Sequence, residues 1–265
     1  MNIFTSYRKK FIGVSFLFYI GAFFGGINLY LNDKLRAEME GIIKAERKKE
    51  ELKIIHERVA PSYEKKTENL EVRNQFNKYR RILVSYAKGK VLECGVGTGR
   101  TLEFYKSDAD LIGIDYSAKM LEIAKHRIDN RELHNINKDS KIVLTNMDCE
   151  HLKDKFPENY FDSVVDINNF QAYHDYKKVY DGIKFVLKDE GLFLFMARGE
   201  SNFFLIRDFY KIFLPCIFMR KGQDLTINWS ELIEKDKDWE ILHKERKNYG
   251  KTYIYILKLK KKKQE

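Results

Sequence analysis

The residues most able to do chemistry begin at Val91–Arg100, VLECGVGTGR, where a short apolar run leads into Gly95-x-Gly97-x-Gly99. Glycines at this spacing allow a tight turn and let a ligand approach the backbone closely. A helix starting after such a turn offers free N–H groups to that ligand. A dinucleotide-type GxGxxG loop needs glycine where Arg100 stands, which argues against NAD or FAD. Asp115 ends the next apolar run, twenty positions after Gly95, a spacing that suits a carboxylate accepting from a ribose diol. Ser117 behind it suits a helix N-cap. Asp148 and Cys149 follow the third run. The Asp148 carboxylate can accept from an exocyclic amine, and the Cys149 N–H can donate to a ring nitrogen; a helix cap is the other reading of Asp148. Beyond the fourth run, which carries Asp166, lie Tyr173, His174 and Asp175. His174 has an ordinary pKa near neutrality and is the candidate general base. Its other reading is a surface histidine ahead of a helix capped by Asp175. No cysteine or histidine spacing points to a metal site.

The elements that must position these residues alternate. Apolar runs at Lys90–Cys94, Leu111–Asp115, Lys141–Asn146, Phe161–Ile167 and Leu192–Met196 read as strands. Glu71–Ala87, Thr101–Tyr105, Ser117–Asp129 and Tyr176–Leu187 read as helices between and before them. Trp239–Glu245 and Thr252–Leu259 flank Asn248-Tyr249-Gly250 and read as an antiparallel hairpin. The pattern predicts an α/β, doubly wound, Rossmann-like sheet of five parallel strands plus the C-terminal hairpin. Its ligand crevice belongs at the C-terminal strand ends.

Charge and apolar content are unevenly spread over the 265 residues. The formal charge is +10 and 44% of residues are hydrophobic, which excludes a disordered chain. Arg8, Lys9 and Lys10 precede a charge-free stretch, residues 11–32. As a helix those 22 residues span about 33 Å, the thickness of a bilayer core, so they predict an N-terminal transmembrane helix. A signal peptide and a buried core helix are the competing readings. Gly21 and Gly25 have GxxxG spacing, which permits helix pairing and a homodimer. Residues 33–60 read as a charged, solvated helical stalk ending at Pro61. A domain at 61–260 and a basic tail at 261–265 complete the organisation. Seven of the ten charges fall in the two termini, so the near-neutral body has no phosphate-tracking stripe and nucleic acid is not an expected partner.

Together the glycine loop and Asp115 resemble the class I S-adenosylmethionine-dependent methyltransferases over residues 60–260. The resemblance implies S-adenosyl-L-methionine as cofactor. It implies that Gly95, Gly97 and Gly99 line the methionine and ribose, Asp115 holds the ribose hydroxyls and Asp148 holds the adenine amine. It also puts Glu93 near the methionine amino group, Tyr116 against adenine and Asp166 at the substrate-facing strand end. VLKDEG at Val186–Gly191 is similar to the VLKPGG turn of such enzymes. The N/D-P-P-Y motif of base-amino methylating relatives is missing. A narrower likeness is to membrane-anchored methyltransferase-like proteins of the mitochondrial inner membrane. It rests on the apolar segment, on ERVAPSYEKKT (Glu57–Thr67) and on the last hairpin, and it places Tyr63 over the cofactor.

These features point to a methyltransferase acting on a small-molecule or lipid-like acceptor beside a membrane. The apolar run Asn202–Met219 reads either as a core helix and cover or as a substrate lid or second membrane contact. A cofactor-binding but inactive membrane-bound assembly or quality-control factor is the alternative. The single-pass chain is expected in the mitochondrial inner membrane. The last four residues also fit a dilysine pattern of the endoplasmic reticulum.

Overall fold

Strand residues whose neighbours alternate between two apolar faces build the centre of the protein, as a computed structural model shows. The structure describes residues 49–106, 110–130, 141–211 and 222–261. The charge-free segment 11–32, its glycine pair and the last four residues lie outside these. Among the described residues no helix is long and apolar enough to cross a membrane.

The strands are β1 (Lys90–Cys94), β2 (Asp110–Asp115), β3 (Lys141–Asn146), β4 (Phe161–Ile167), β5 (Leu187–Arg198), β6 (Trp239–Lys247) and β7 (Thr252–Leu259). They form one sheet in the order β3-β2-β1-β4-β5-β7-β6. The first five are parallel, and β7 runs antiparallel between β5 and β6. This is the expected sheet of five parallel strands closed by a hairpin. Strand β7 shows the governing pattern: Tyr253, Tyr255, Leu257 and Leu259 pack into one core cluster, Ile254 and Ile256 into the other. Period-two alternation of apolar residues on both faces demands helices on both faces. Edge strand β6 instead carries Lys244, Glu245, Arg246 and Lys247, and charge on an edge discourages further strand pairing.

The helices are α1 (Lys49–Val59), α2 (Tyr63–Arg73), α3 (Phe76–Val84), α4 (Ala118–Asp129), α5 (Leu152–Lys155), α6 (Tyr176–Val186) and α7 (Trp229–Ile233), with a further helical run at 204–211. Phe76, Tyr79 and Leu83 of α3 and Leu121 of α4 cover one face; Val179, Ile183 and Val186 of α6 and Trp229 of α7 cover the other. Ser117 accepts from the Met120 N–H at 3.2 Å as the N-cap of α4, a contact worth about 1 kcal/mol.

Several sequence-based boundaries move. The helix expected over Glu71–Ala87 is broken because Gln75 takes a left-handed φ of 56°, so α2 and α3 are separate and pack differently. Thr101–Tyr105 shortens to a single 3₁₀ turn at Leu102–Phe104. The stretch from Lys49 is no solvated spacer: it belongs to the compact unit Lys49–Glu265, and Leu52 and Ala60 are buried. Burial of one apolar stripe outweighs the charge of the other faces.

Candidate functional site

At the C-terminal ends of the parallel strands lies a cavity of about 590 Å³. Residues from every early element reach it: Leu52, His56 and Arg58 from α1, Tyr63 and Glu71 from α2, Gly95 and Gly97 after β1, and Asp115 and Tyr116 after β2. Asp148 and Cys149 follow β3, Asn168 to His174 follow β4, and Arg198 ends β5.

The centre of the site is the glycine loop against Asp115. Gly95, Gly97 and Gly99 all have positive φ, and the loop folds back so that the Gly97 N–H donates to Asp115 Oδ2 at 2.9 Å. The Ser117 N–H donates to Oδ1, also at 2.9 Å. Burial nevertheless pushes the Asp115 carboxyl up to about 6, against the pull of those two donors. The three glycines do different work. A Cβ on Gly95 would collide with the Asn169 carboxamide. A Cβ on Gly97 would meet nothing closer than Gly95 O at 3.9 Å, so that position opens on the cavity. Gly99 lies away from the cavity lining, and its Cβ would press on Leu102 at 2.9 Å and Ala124 at 3.2 Å. Its smallness lets α4 approach the loop.

Arg100, where a dinucleotide loop would have glycine, ties the loop to the helices before the sheet. Its Nη2 lies 2.7 Å from Glu64 Oε2, and Arg127 Nη2 lies 2.8 Å from the same oxygen. Thr98 donates its hydroxyl to Glu64 Oε1. Burial alone would raise Glu64, but Thr98, Arg100 and Arg127 hold it below the usual carboxylate range. The network continues through Glu71, 3.6 Å from Arg100 and paired with the buried Arg80.

On the β2–β3 side, Asp148 both lines the cavity and caps the turn after it, accepting from the Glu150 N–H at 2.8 Å. The capping reading of this residue is met, and its place in the lining leaves it open to a ligand. Tyr116 meets His56 edge to face, ring centroids 5.3 Å apart, and its hydroxyl contacts His56 Nδ1. Tyr63 lines the opposite wall, with the Arg100 guanidinium 5.9 Å from its ring centroid.

Besides Gly99, two expected residues fall short of the cavity. Glu93 is buried on the sheet face beside Thr101 and Tyr105, and its Oε2 has no hydrogen-bond partner. Burial pushes it up to about 7, against the contacts with Thr101, Tyr105 and Arg80. Asp166 is fully buried on the other face, where Oδ2 accepts from the Tyr173 hydroxyl at 2.6 Å and burial raises its carboxyl well above the usual range. Both are interior strand residues, and the pleat aims such side chains at the sheet faces rather than at the strand ends. Asp166 thus reaches the site through Tyr173 and Asn169, which do line it.

His174 lines the cavity, with Nδ1 3.7 Å from Glu150 Oε1. Glu150 in turn accepts from the Asp175 N–H at 2.9 Å, which fixes its carboxylate. A histidine facing a held carboxylate can take a proton and have the resulting charge stabilised.

Sequence reasoning did not single out Asn168, Asn169, Gln171, Arg198, Gln223 or His56 as site residues. Asn169 Nδ2 donates to Cys94 O at 2.9 Å and seals the loop from below. Asn168 has a φ of 65°, and its buried Oδ1 has no partner. The asparagine pair at the end of a strand was the one available signal, since asparagine tolerates the left-handed conformation.

The donor and acceptor set fits S-adenosylmethionine. Asp115 and Asp148 present acceptors at the ends of β2 and β3, and the open Gly97 position admits the ligand backbone-close. Residues 92–195 match the family described as "Methyltransferase domain". A stretch of 77 residues is 38% identical to a phosphatidylethanolamine N-methyltransferase of Cereibacter sphaeroides, covering 29% of this chain and 34% of that protein. The chain thus matches about a third of that relative's length. Among solved structures, a methyltransferase of Thermotoga maritima described as a possible histamine N-methyltransferase is similar at 19% identity. The match covers 79% of this chain and 100% of that one, with a TM-score of 0.56. A methyltransferase of Methanosarcina mazei aligns at 18% identity over 68% of this chain and 97% of its own, TM-score 0.55. At these identities the solved structures speak for the fold, and the family match speaks for the domain. Residues 92–195 thus match a methyltransferase domain, the sheet has the fold of S-adenosylmethionine-dependent methyltransferases, and S-adenosylmethionine is the cofactor these findings support.

Proposed function

We propose that this protein transfers a methyl group from S-adenosylmethionine to a small, lipid-like acceptor at a membrane surface. The observation that carries the cofactor half is Asp115, fixed in the cavity wall by the Gly97 and Ser117 N–H groups. The cofactor supplies an electrophilic methyl group, so the protein must orient the acceptor, exclude water and take up a proton. His174, backed by Glu150, is placed to hold that proton.

Support for a membrane-borne acceptor comes from the surface next to β5. Phe203, Phe204, Leu205 and Phe209 are exposed, Phe204 by 55%, and Tyr249 at the β6–β7 turn is 73% exposed. The Ser201 hydroxyl and the Asn202 N–H both donate to Tyr249 O, at 2.6 and 3.1 Å, so the two segments are joined. Exposed aromatics with Lys247 close by in sequence suit the lipid–water interface. The charge-free segment 11–32 would tether the chain there. The likeness to a lipid N-methyltransferase agrees with such an acceptor. The mitochondrial inner membrane is the compartment we propose, and fractionation of a tagged chain with protease protection distinguishes it from the endoplasmic reticulum.

Calorimetry with S-adenosylhomocysteine tests the cofactor half. Gly97→Asp and Asp115→Ala should abolish binding, and wild-type affinity in both variants would sink the assignment. Methyl transfer into phosphatidylethanolamine or a total lipid extract tests the acceptor half. Binding with no transfer to any lipid would favour an assembly-factor role instead.

A further inference from the structure

Charged residues of both signs line the cavity. Its β2–β3 end carries Asp115 and Asp148, and the strand order places these two strands on the far side of β1 from β5. At the β5 end stands Arg198, whose side chain lines the cavity. The Arg198 guanidinium donates from Nη2 to Gln223 Oε1. No carboxylate pairs with it among the described residues, although arginines elsewhere in this protein meet Glu64 and Glu71. Glu71, the acid nearest in charge to Arg198, is already held by Arg80 and Arg100.

The backbone around Arg198 is fixed from three sides. Its N–H donates to Gln171 Oε1 at 3.2 Å, and its carbonyl accepts from Trp229 Nε1 at 2.9 Å. Gln171 O in turn accepts from the Asp224 N–H at 2.7 Å, which holds the segment bearing Gln223. The fork is therefore mounted on rigid elements, as an oxyanion site requires. One further cation, Lys251, is close enough for its charge to interact with Arg198. Lys251 places Nζ 5.8 Å from the Tyr210 ring centroid. Burial depresses its ammonium, and repulsion from Arg73 and Arg198 depresses it further. Burial depresses Arg198 in the same way. A guanidinium fork that lines a cavity and has no carboxylate partner suits an external oxyanion, and a phosphate oxygen pair matches its geometry.

We propose that Arg198, steadied by Gln223, binds a phosphate-ester oxyanion of the methyl acceptor. The inference rests on the methyl-transfer reading above, and strand order sets this oxyanion apart from the cofactor: adenosine contacts lie at β2 and β3, the glycine loop at β1, and Arg198 two strands beyond it. The oxyanion is either the phosphodiester of a lipid headgroup or the phosphate of a soluble ester.

The test uses the full chain in detergent, loaded with S-adenosylhomocysteine. Inorganic phosphate, phosphoethanolamine, and phosphatidylcholine vesicles with or without phosphatidylethanolamine are each titrated in. Wild type should bind phosphate, Arg198→Gln should weaken it about tenfold or more, and Arg198→Lys should retain part of it. Gln223→Glu, which keeps the arginine but gives it an internal carboxylate, should also abolish phosphate binding, and it stands in if Arg198→Gln does not fold. Affinity for S-adenosylhomocysteine should stay unchanged in all three variants. Arg198-dependent binding of phosphatidylethanolamine vesicles identifies a lipid headgroup; dependence with phosphoethanolamine alone identifies a soluble ester. Equal phosphate binding by wild type and Arg198→Gln, or none by wild type, overturns the proposal. A tenfold loss of S-adenosylhomocysteine affinity in Arg198→Gln also overturns it, by giving Arg198 to the cofactor carboxylate. Arg198-dependent phosphate binding in a wild type that ignores S-adenosylhomocysteine would instead refute the methyltransferase reading and leave the oxyanion site standing.

Discussion

Glu64 Oε2 lies 2.7 Å from Arg100 Nη2, so the helix that brings Tyr63 to the cavity is fastened to the glycine loop it covers. Removing the Glu64 charge should loosen that cover. Glu64→Gln is expected to cost about 1 kcal/mol of stability, given its partial exposure, and to weaken S-adenosylhomocysteine several-fold. Glu68→Gln, exposed on the same helix, should change neither. Thermal unfolding and calorimetry read the two effects.

The buried Glu93 gives a pH signature. Its carboxyl titrates near 7 in the folded protein against 4.5 for the free side chain. Between those values the folded state holds a proton that the unfolded state has lost, so this group's contribution to stability falls as pH rises from 4.5 to 7. Glu93→Gln removes the charge and is expected to stabilise the protein at pH 8 by up to about 3 kcal/mol. The gain should vanish near pH 4. A gain independent of pH would show that packing, not charge, is responsible.

Asp115 ties pH to ligand binding. Its carboxyl titrates near 6 without ligand, and hydroxyl donors favour the ionised form. Affinity for S-adenosylhomocysteine should therefore fall as pH drops below 6. Asp115→Asn should lower affinity about tenfold or more and flatten that dependence. A calorimetric pH series checks both.

His174 is expected to act in turnover and not in cofactor binding. His174→Asn should lower kcat by about a hundredfold with an unchanged affinity for S-adenosylhomocysteine. Glu150→Gln should lower kcat less, because it acts through the histidine 3.7 Å away. Labelled methyl transfer under saturating lipid separates the two.

Phe204 and Phe209 are exposed and, on the proposed reading, should matter only when the acceptor sits in a bilayer. Phe204→Ser with Phe209→Ser is expected to raise KM for vesicle lipid and to leave S-adenosylhomocysteine affinity and thermal stability near wild type. A short-chain soluble analogue should be methylated equally by both forms.

What the sequence determined by itself was local. Alternating apolar residues define strands because a pleated strand buries both faces, and Gly97 followed by Asp115 defines a loop and a carboxylate because both depend on backbone conformation between two successive parallel strands. The sheet and its hairpin follow from those periodicities, and the cofactor from the resemblance that the glycine loop and Asp115 carry. Tertiary structure decided which polar residues face the cavity. Glu93 and Asp166 lie inside strands, and the pleat turned them under the helices. Asn169, Arg198 and Gln223 lie at or beyond strand ends and are assembled by crossovers, so no sequence spacing links them. His56 meets Tyr116 across 60 positions because burial of Leu52 folds α1 onto the domain. Contacts made at such separations depend on packing, and packing is the property a local pattern does not contain.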